Sequence, residues 1–471
     1  MINIKQLFVQ AVGPFQKEKF DFSVQPNHPN IHIFTGSNGA GKTTLLHAIA
    51  SAFDYFEEGH KEHLSNNFYK RFHSDEEDEK EMAKSYSHAI ITNNKETVIE
   101  KIICYNCKHC KTIHQEYEKT LANNLSIGKS PNSFHKKSLS KLLSDYKNAI
   151  ISEDISNKKF KFAAFGYSGY RLIKTGHIQL DSQETFNPLK LALEFVKERD
   201  TGSMVSNWIV SRYSKAAIEE IHGNKATAER YRLGLNCLIE SINELTNNEY
   251  KFEIKTNPWK VCISYFDKEI EFDVLPDGLR SLLSWLGDLL VRLDEIPWED
   301  ASIPVNEQHI ILLLDEIEVH LHPKWQYQIL PLVQKVFPNA QIFLTTHSPF
   351  ILNSIDNAKI YKLDTVNGIS KLEDTILSNT GHSYNYVYEN ILETFNRFSI
   401  STMKDLKRFN ELDAEIVKGD FSREIEFKAV VERLFSEGEE VTDIISSKLI
   451  RLQRVIGKNY IHGENKPSAS F

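Results

Sequence analysis

Gly36-Ser37-Asn38-Gly39-Ala40-Gly41-Lys42-Thr43 follows the apolar run Ile31-His32-Ile33-Phe34-Thr35 and precedes a segment in which Leu45, Leu46, Ala48, Ile49, Ala50 and Phe53 recur at helical spacing. Strand, glycine-rich turn and helix make a βα unit. The octamer matches G-x-x-x-x-G-K-[ST] at every position. Its glycines let the backbone double back so that successive N–H groups point inward, forming an anion cradle at a helix N-terminus. Lys42 then reaches the β- and γ-phosphates, and the Thr43 hydroxyl, with Thr44 beside it, ligates Mg²⁺. The loop predicts a nucleoside triphosphate site served by ATP and Mg²⁺, with the helix running from Thr43 to Phe56.

Two further apolar strands carry chemistry at their ends. Ile310-Ile311-Leu312-Leu313-Leu314 runs into Asp315-Glu316, which places two acids at the carboxyl edge of a parallel sheet, where ligands bind. Asp315 suits Mg²⁺, and Glu316 suits polarising the attacking water. Thr345-Thr346-His347-Ser348-Pro349 follows a second buried strand, and His347 there can donate to a γ-phosphate. These two are the candidate catalytic residues, Glu316 and His347. Between the acids and the insertion that precedes them lies Leu275-Pro276-Asp277-Gly278-Leu279-Arg280-Ser281-Leu282. This is a turn opening an amphipathic helix, with Asp277 a good N-cap; the helix's free N–H groups and positive end can face a phosphate, which makes Asp277, Gly278 and Arg280 candidate nucleotide-binding residues.

The ordered set (phosphate loop, long insertion, signature loop, Asp-Glu strand, switch histidine) resembles the ABC-type ATPases of the RecF/OLD-like branch. Its most specific phrase is Asp315-Glu316-Ile317-Glu318-Val319-His320-Leu321-His322-Pro323-Lys324-Trp325-Gln326. Phe165-Gly166-Tyr167-Ser168-Gly169-Tyr170-Arg171 looks like the segment holding the branch's Q-loop function, without its glutamine. The resemblance covers roughly residues 1–56, 160–180 and 250–365. It implies an α/β fold: an ABC-type ATPase head with a P-loop mixed sheet and an antiparallel β-subdomain, plus a helical insertion and a helical C-terminal region. It also implies a homodimer or higher homo-oligomer with ATP at the seam, because the family's signature loop acts on the nucleotide of a second protomer. Where the family usually has a serine before the glycine pair, this chain has Pro276, which has neither a hydroxyl nor an N–H. Losing one transition-state donor costs on the order of 10²–10³ in rate, so slow ATP turnover is expected.

Outside those segments the chain organises around one interrupted core. The expected division is an ATPase domain over 1–365, interrupted by an insertion at 57–160 and a helical subdomain at 184–248, then a helical C-terminal region over 366–471 that is the candidate docking surface for a partner. The block at 184–248 reads as about three helices, and strand-like pieces fall near 86–93, 96–104, 111–119 and 250–274. Cys104, Cys107 and Cys110, with His109 and His114 nearby, have the right ligand types for a zinc knuckle on Cys104, Cys107, Cys110 and His114. Reduced thiols in a loop are the alternative. Lys129–Lys161 holds eight lysines against three acids, a solvated face or a contact for DNA or a nucleoprotein trigger.

Composition bounds the setting. The chain has 471 residues, 56 basic against 64 acidic side chains and a net charge of −8, which argues against coating nucleic acid through global charge. Five cysteines cannot form a disulfide framework in this length. No apolar run approaches the roughly 18–20 residues that span a bilayer, and the start has no signal-peptide pattern. A cytoplasmic protein with no membrane partner is expected. After Pro349 there is no Asp-x-Asp of a Toprim nuclease, nor an HNH-like ββα pattern, so no nuclease site is expected in this chain. The resemblance therefore narrows to the PtuA-type stand-alone ATPase subunits of the Septu anti-phage systems, also found beside retrons, whose partner is a separate HNH nuclease of the PtuB type. The PARIS ATPase, with a Toprim partner, is its neighbour. A RecF-like DNA-repair clamp is the alternative function, and a transporter's nucleotide-binding subunit ranks third because the His-Leu-His-Pro phrase is foreign to it.

Overall fold

The computed structural model of the chain describes residues 2–53, 85–93, 98–106, 133–175, 178, 186–195, 201–392 and 398–460. They fall into two compact units, Met1–Val387 and Tyr388–Phe471.

The first unit is built on a mixed sheet. Its strands are β1 (Ile2–Val12), β2 (Phe15–Asp21), β3 (Ile31–Gly36), β4 (Ser85–Asn93), β5 (Val98–Asn106), β6 (Ala163–Tyr167), β10 (Ile310–Leu314), β11 (Gln341–Thr345), β12 (Lys359–Val366) and β13 (Ile369–Leu377). Among the described residues these ten join in the order β5-β4-β1-β2-β13-β12-β3-β11-β10-β6. A separate antiparallel sheet of three holds β7 (Lys251–Thr256), β8 (Trp259–Tyr265) and β9 (Lys268–Ile270). The strand near 111–119 lies outside the described residues.

Sequence pattern follows position in the sheet. β1 alternates, turning Ile2, Ile4, Leu7 and Val9 inward, and pairs antiparallel with β2 and β4. β6, β10 and β11 are buried at every residue, and β3 through Thr35, as expected of parallel strands covered on both faces. Pairing of β12, β3, β11, β10 and β6 is parallel throughout. Phe22, His32, Phe34, Phe343 and Tyr361 interlock beneath this region, with His32 stacked on Phe343 at 4.8 Å. Burial holds the His32 pKa well below its ordinary value, so a neutral ring sits in the core, bonded to Asn30 Oδ1 and the Tyr361 hydroxyl.

The helices of this unit are α1 (Lys42–Ala50), α2 (Ser133–Ile150), α3 (Thr201–Ile221), α4 (Lys225–Thr246), α5 (Asp277–Glu295), α6 (Pro323–Val336) and α7 (Pro349–Leu352), with α8 (Tyr384–Asn390) following. Two expectations need correction. α1 stops at Ala50 rather than running to Phe56: the Ser51 hydroxyl donates to the Ala48 carbonyl at 2.7 Å, and the chain turns through Ser51–Phe53. Described residues 189–195 of the leucine-rich stretch form turns, not a helix. Their carbonyls are taken elsewhere: Arg292 Nη1 donates to Pro188 O at 2.7 Å and Lys190 O at 3.0 Å, and Gly166 N–H donates to Ala192 O at 2.7 Å. A helical hairpin of α3 and α4 remains, its two helices in close approach at Gly234 (to Trp208), and it packs on α5 at Gly287 (to Val205). β12 and β13 lie in the main sheet between β3 and β2, which corrects the helical region expected over 366–471: Ile369–Leu377 is a strand of the first unit.

The second unit is a helical bundle of α9 (Ile400–Val417), α10 (Glu424–Phe435) and α11 (Glu439–Ile456). Phe409, Leu412, Phe427, Leu434, Ile445 and Leu449 form its core. Ser399 caps α9 by accepting from Thr402 N–H, and Gly457 ends α11 at a left-handed φ of 75°.

α5 is tied to the sheet through Asp288, which also forms a buried ion pair within the helix. Asp288 accepts from Arg292 Nε and from the Tyr167 hydroxyl, both at 2.7 Å, while Arg292 also holds the 188–190 carbonyls. Asp288→Ala is therefore expected to destabilise the first unit by about 3–5 kcal/mol, measured as the shift of its urea-unfolding transition. A change within experimental error would show that the pair is not needed to hold α5.

Candidate nucleotide site

Four neighbouring parallel strands, β3-β11-β10-β6, end at one edge of the sheet, and each delivers a loop there. β3 leads into the phosphate loop. At Gly36 (φ 146°) a Cβ would stand 2.2 Å from the Leu363 carbonyl oxygen; at Gly41 (φ 85°) it would meet Phe15 at 2.5 Å and Pro14 at 2.7 Å. Only glycine tolerates either position. Ser37, Asn38 and Gly39 are exposed, whereas Ala40 and Thr44 are buried. Lys42 Nζ donates to Gly36 O at 3.1 Å and to Ser37 O at 3.0 Å, so the ammonium lies against the loop. Burial lowers its pKa to about 8, against the opposite pull of Glu316, Asp315 and Glu318.

β10 delivers the two acids. The Asp315 carboxylate accepts from Thr43 Oγ1 at 2.9 and 3.0 Å and from Thr345 Oγ1 at 2.7 Å. Thr345 Oγ1 in turn accepts from Glu316 N–H at 2.8 Å. Glu316 adopts a left-handed φ of 44°, a conformation that persists only where the surroundings over-determine it. Gly169, in the loop after β6, makes room for it: a Cβ there would come within 3.0 Å of Glu316 Cβ and 3.1 Å of its Oε2. Thr43 and Asp315 present hard oxygens at one place, which fits Mg²⁺. Held there, Mg²⁺ would supply charge neutralisation for the triphosphate.

The loop after β6 also brings Arg171 beneath the acids. Its side chain is buried, with Nη2 at 3.4 Å from Asp315 O and 3.5 Å from Glu316 O and its guanidinium 5.7 Å from the centre of the Trp285 ring. Nε and Nη1 have no hydrogen-bond partner among the described residues. Burial lowers the Arg171 pKa to about 10, opposed first by Asp315 and then by Glu318. Two residues past the end of β11 stands His347, which is partly buried. Burial and then the Lys42 charge lower its pKa, favouring the neutral ring, which has one N–H to donate.

All the phosphate-loop residues, Asp315, Glu316 and His347 thus belong to one edge, as the strand pattern implies. The signature residues stand at the start of α5, and there one expectation is corrected. Pro276, not Asp277, is the N-cap, with Leu279 and Arg280 N–H donating to Pro276 O at 2.9 and 3.1 Å. Asp277 is the first helical residue and pairs with Arg280 Nη1 at 3.2 Å, while Arg280 Nε donates to Ile173 O at 3.1 Å. Cys107, Cys110 and His114 lie outside the described residues, as does the Cys104 side chain on β5. Among the described residues no cluster of three His, Cys, Asp or Glu is placed to hold a metal ion. Sequence reading missed Thr345, Gly169 and Arg171 as site residues. The signal for Thr345 was its place as the last strand residue, two before His347.

A phosphate loop, two acids and a switch histidine on adjacent parallel strands, with a signature-type helix nearby, define an ABC-type ATPase head. The chain belongs to the AAA-domain family: a family model described as an AAA domain matches residues 6–255, more than half of the chain. A second AAA-domain model, described with the AbiEii toxin of a Type IV TA system, matches residues 237–353. The chain is similar to the Septu protein PtuA of Bacillus thuringiensis, at 24% identity over 75% of this chain and 74% of that protein. It is similar at 24% to the retron Ec83 probable ATPase of Escherichia coli, over 77% of this chain and 71% of that protein. Among solved structures, the SMC head domain from Thermotoga maritima aligns at 14% identity and a TM-score of 0.36, over 80% of this chain and 98% of that one. No helix among the described residues is long and apolar enough to cross a membrane.

Triphosphate binding favours the charged form of Lys42, whose pKa of about 8 leaves it partly neutral in mildly alkaline solution. ATP affinity is therefore expected to weaken as pH rises through about 8, with net proton uptake on binding between about pH 8 and 9. Calorimetry in buffers of different ionisation enthalpy measures that uptake. It should vanish in Lys42→Arg, whose side chain stays charged; equal uptake in both proteins would remove Lys42 as its source.

Proposed function

We propose that this chain is the ATP-binding, slowly hydrolysing subunit of a bacterial anti-phage defence complex in which it scaffolds and restrains a separate nuclease, of the HNH type. The observation that carries the reading is the convergence of Lys42, Thr43, Asp315, Glu316 and Thr345 at one sheet edge. The similarity to a Septu protein and to retron ATPases supplies the defence setting. Two copies closing head to tail, each signature helix over the other's nucleotide, complete the site; 366–471 is the region offered to the nuclease.

In this mechanism the phosphate-loop N–H groups and Lys42 bind the β- and γ-phosphates, and Thr43 and Asp315 hold the divalent ion. Glu316 orients and polarises the attacking water, its backbone fixed by Thr345. His347 donates to the γ-phosphate. Pro276 supplies no hydroxyl toward a neighbouring nucleotide, which supports slow turnover.

Lys42→Ala should abolish ATP binding, whereas Glu316→Gln should keep binding and lose turnover. Pro276→Ser should raise kcat by about tenfold or more if the missing donor limits the rate; an unchanged kcat counts against that explanation. Affinity purification with and without ATP, read by mass spectrometry, tests the partner: recovery of an HNH protein supports the proposal, and a replication clamp in its place would overturn it.

A RecF-like DNA clamp is the second reading, and one feature favours it. A cleft of about 610 Å³ is lined by Lys141, Lys158, Lys159 and Lys161, with Asp145 its one acid. Residues 158–161 precede β6, so the cleft lies toward the opposite edge of the sheet from the phosphate loop. Lys158→Gln with Lys159→Gln should then reduce the slope of log affinity against log salt for duplex DNA by about 2. Wild-type protein with no measurable DNA affinity would dispose of this reading.

A further inference from the structure

The segment that follows the two acids makes bonds that neither phosphate binding nor water activation requires. Glu318 Oε1 accepts the backbone N–H of His347 at 2.6 Å. Gln326, in the first turn of α6, accepts from Ser348 Oγ at 2.6 Å and donates through Nε2 to Leu321 O at 2.8 Å. The directions of these bonds are determined. Ser348 Oγ caps α7 by accepting from Phe350 and Ile351 N–H at 3.1 and 3.4 Å, so its single proton goes to Gln326. The other face of the Gln326 amide meets a carbonyl, which only an NH₂ can satisfy. His347 is thus gripped on its own N–H and on the residue after it, by two side chains of one twelve-residue stretch, Asp315–Gln326.

The same stretch touches the start of α5. A Cβ on Gly278 would stand 2.8 Å from the Trp325 ring and 2.9 Å from His320 O, and His320 reaches that place with a left-handed φ of 67°. Such contact leaves no slack, so a shift of the segment displaces the helix start.

We propose that Glu318 and Gln326 are positioning residues that hold His347 for γ-phosphate recognition, and that the 318–326 segment links His347 to Gly278 at the signature helix. The proposal rests on the ATPase reading and deepens it. A loosened His347 still permits the phosphate loop to bind the α- and β-phosphates, so what is lost is the distinction between ATP and ADP, together with turnover.

The experiment compares Glu318→Ala, Glu318→Gln, Gln326→Met and His347→Ala in the full chain. ATP and ADP affinities come from calorimetry, using a hydrolysis-resistant ATP analogue, and kcat from phosphate release. Glu318→Ala and Gln326→Met should leave ADP affinity within about twofold while lowering the ATP-over-ADP preference and kcat by about tenfold, the scale of one lost buried hydrogen bond. Glu318→Gln keeps an acceptor for the His347 N–H and should retain most of both. In a His347→Ala background, Gln326→Met should add no further loss. Parallel losses of ADP and ATP affinity, an unchanged preference in the variants, or a wild type without preference would each overturn the proposal. Should Gln326→Met fail to fold, the Glu318 pair decides alone. A wild type that binds neither nucleotide overturns the ATPase reading itself, a result distinct from all of these.

Discussion

Two threonine hydroxyls converge on one carboxylate, and the rest of the site depends on that arrangement. Thr43 belongs to the first turn of α1, Asp315 to the end of β10 and Thr345 to the end of β11. They come together because β3, β11 and β10 are parallel neighbours whose carboxyl ends share one edge. A nearly buried carboxylate in such a place needs donors, and its hydroxyl partners are short and rigid enough to supply them without filling the cleft. The same threonine that bonds Asp315 also accepts the N–H of Glu316, so both acids are set by one contact. Glu316 keeps its left-handed backbone because Thr345 on one side and the side-chain-free face of Gly169 on the other make that conformation the one that fits.

Electrostatics at this edge run in one direction. Lys42 and Arg171 are both held below their ordinary pKa by burial, and Glu318 is raised by the same cause. Desolvation opposes charge of either sign. A polyphosphate changes the balance for the cations: negative charge beside Lys42 stabilises its ammonium, and the affinity gained is the reverse of the burial cost. Carboxylates behave otherwise, since added negative charge penalises them further. A divalent ion would offset that penalty, and Asp315 and Thr43 already present oxygens at one place. On the proposed reading ATP would enter together with Mg²⁺, because three carboxylates already stand within the field of one lysine.

Local signals carried far in this chain where they coincided with strand ends. The glycine octamer, the Asp-Glu after Leu314 and the His347 turn were legible because each couples a run of buried apolar residues to an abrupt polar stop, and parallel strands put such stops on one edge. Reading failed where a residue's partners are remote. Leu189, Leu191 and Leu193, read as helical, stand two apart and do not mark one helix face, and Arg292, about a hundred residues on, takes the Pro188 and Lys190 carbonyls. β12 and β13 are half-exposed strands whose alternation is broken by charged residues, and their place between β3 and β2 is a fact of topology. Asp277 had the chemistry of an N-cap but lies one position inside the helix. Arg171 was visible only as the end of a motif; that its guanidinium lies under Asp315 requires the β6–β10 pairing.

The phrase from Asp315 to Gln326 was the most specific feature of the sequence, and the structure supplies a physical reason for its length. On the proposed reading, water activation needs nothing beyond Glu316. Six residues further on, His322 caps α6 by accepting from Lys324 N–H, with Pro323 at the first helical position, so the stretch between is a turn of fixed span. That span puts Glu318 under His347 and Gln326 under Ser348, and it lays His320 and Trp325 against Gly278. A site designed only for throughput needs no such tie between His347 and the start of α5. On the proposed reading the tie has a purpose: the state of a protomer's own nucleotide is expressed in the position of Gly278. With Pro276 adjoining and no hydroxyl to hasten the chemistry, that position persists for as long as the triphosphate does. Slow hydrolysis and stiff coupling are then two aspects of one design, in which bound ATP is a signal held long enough for a partner to respond.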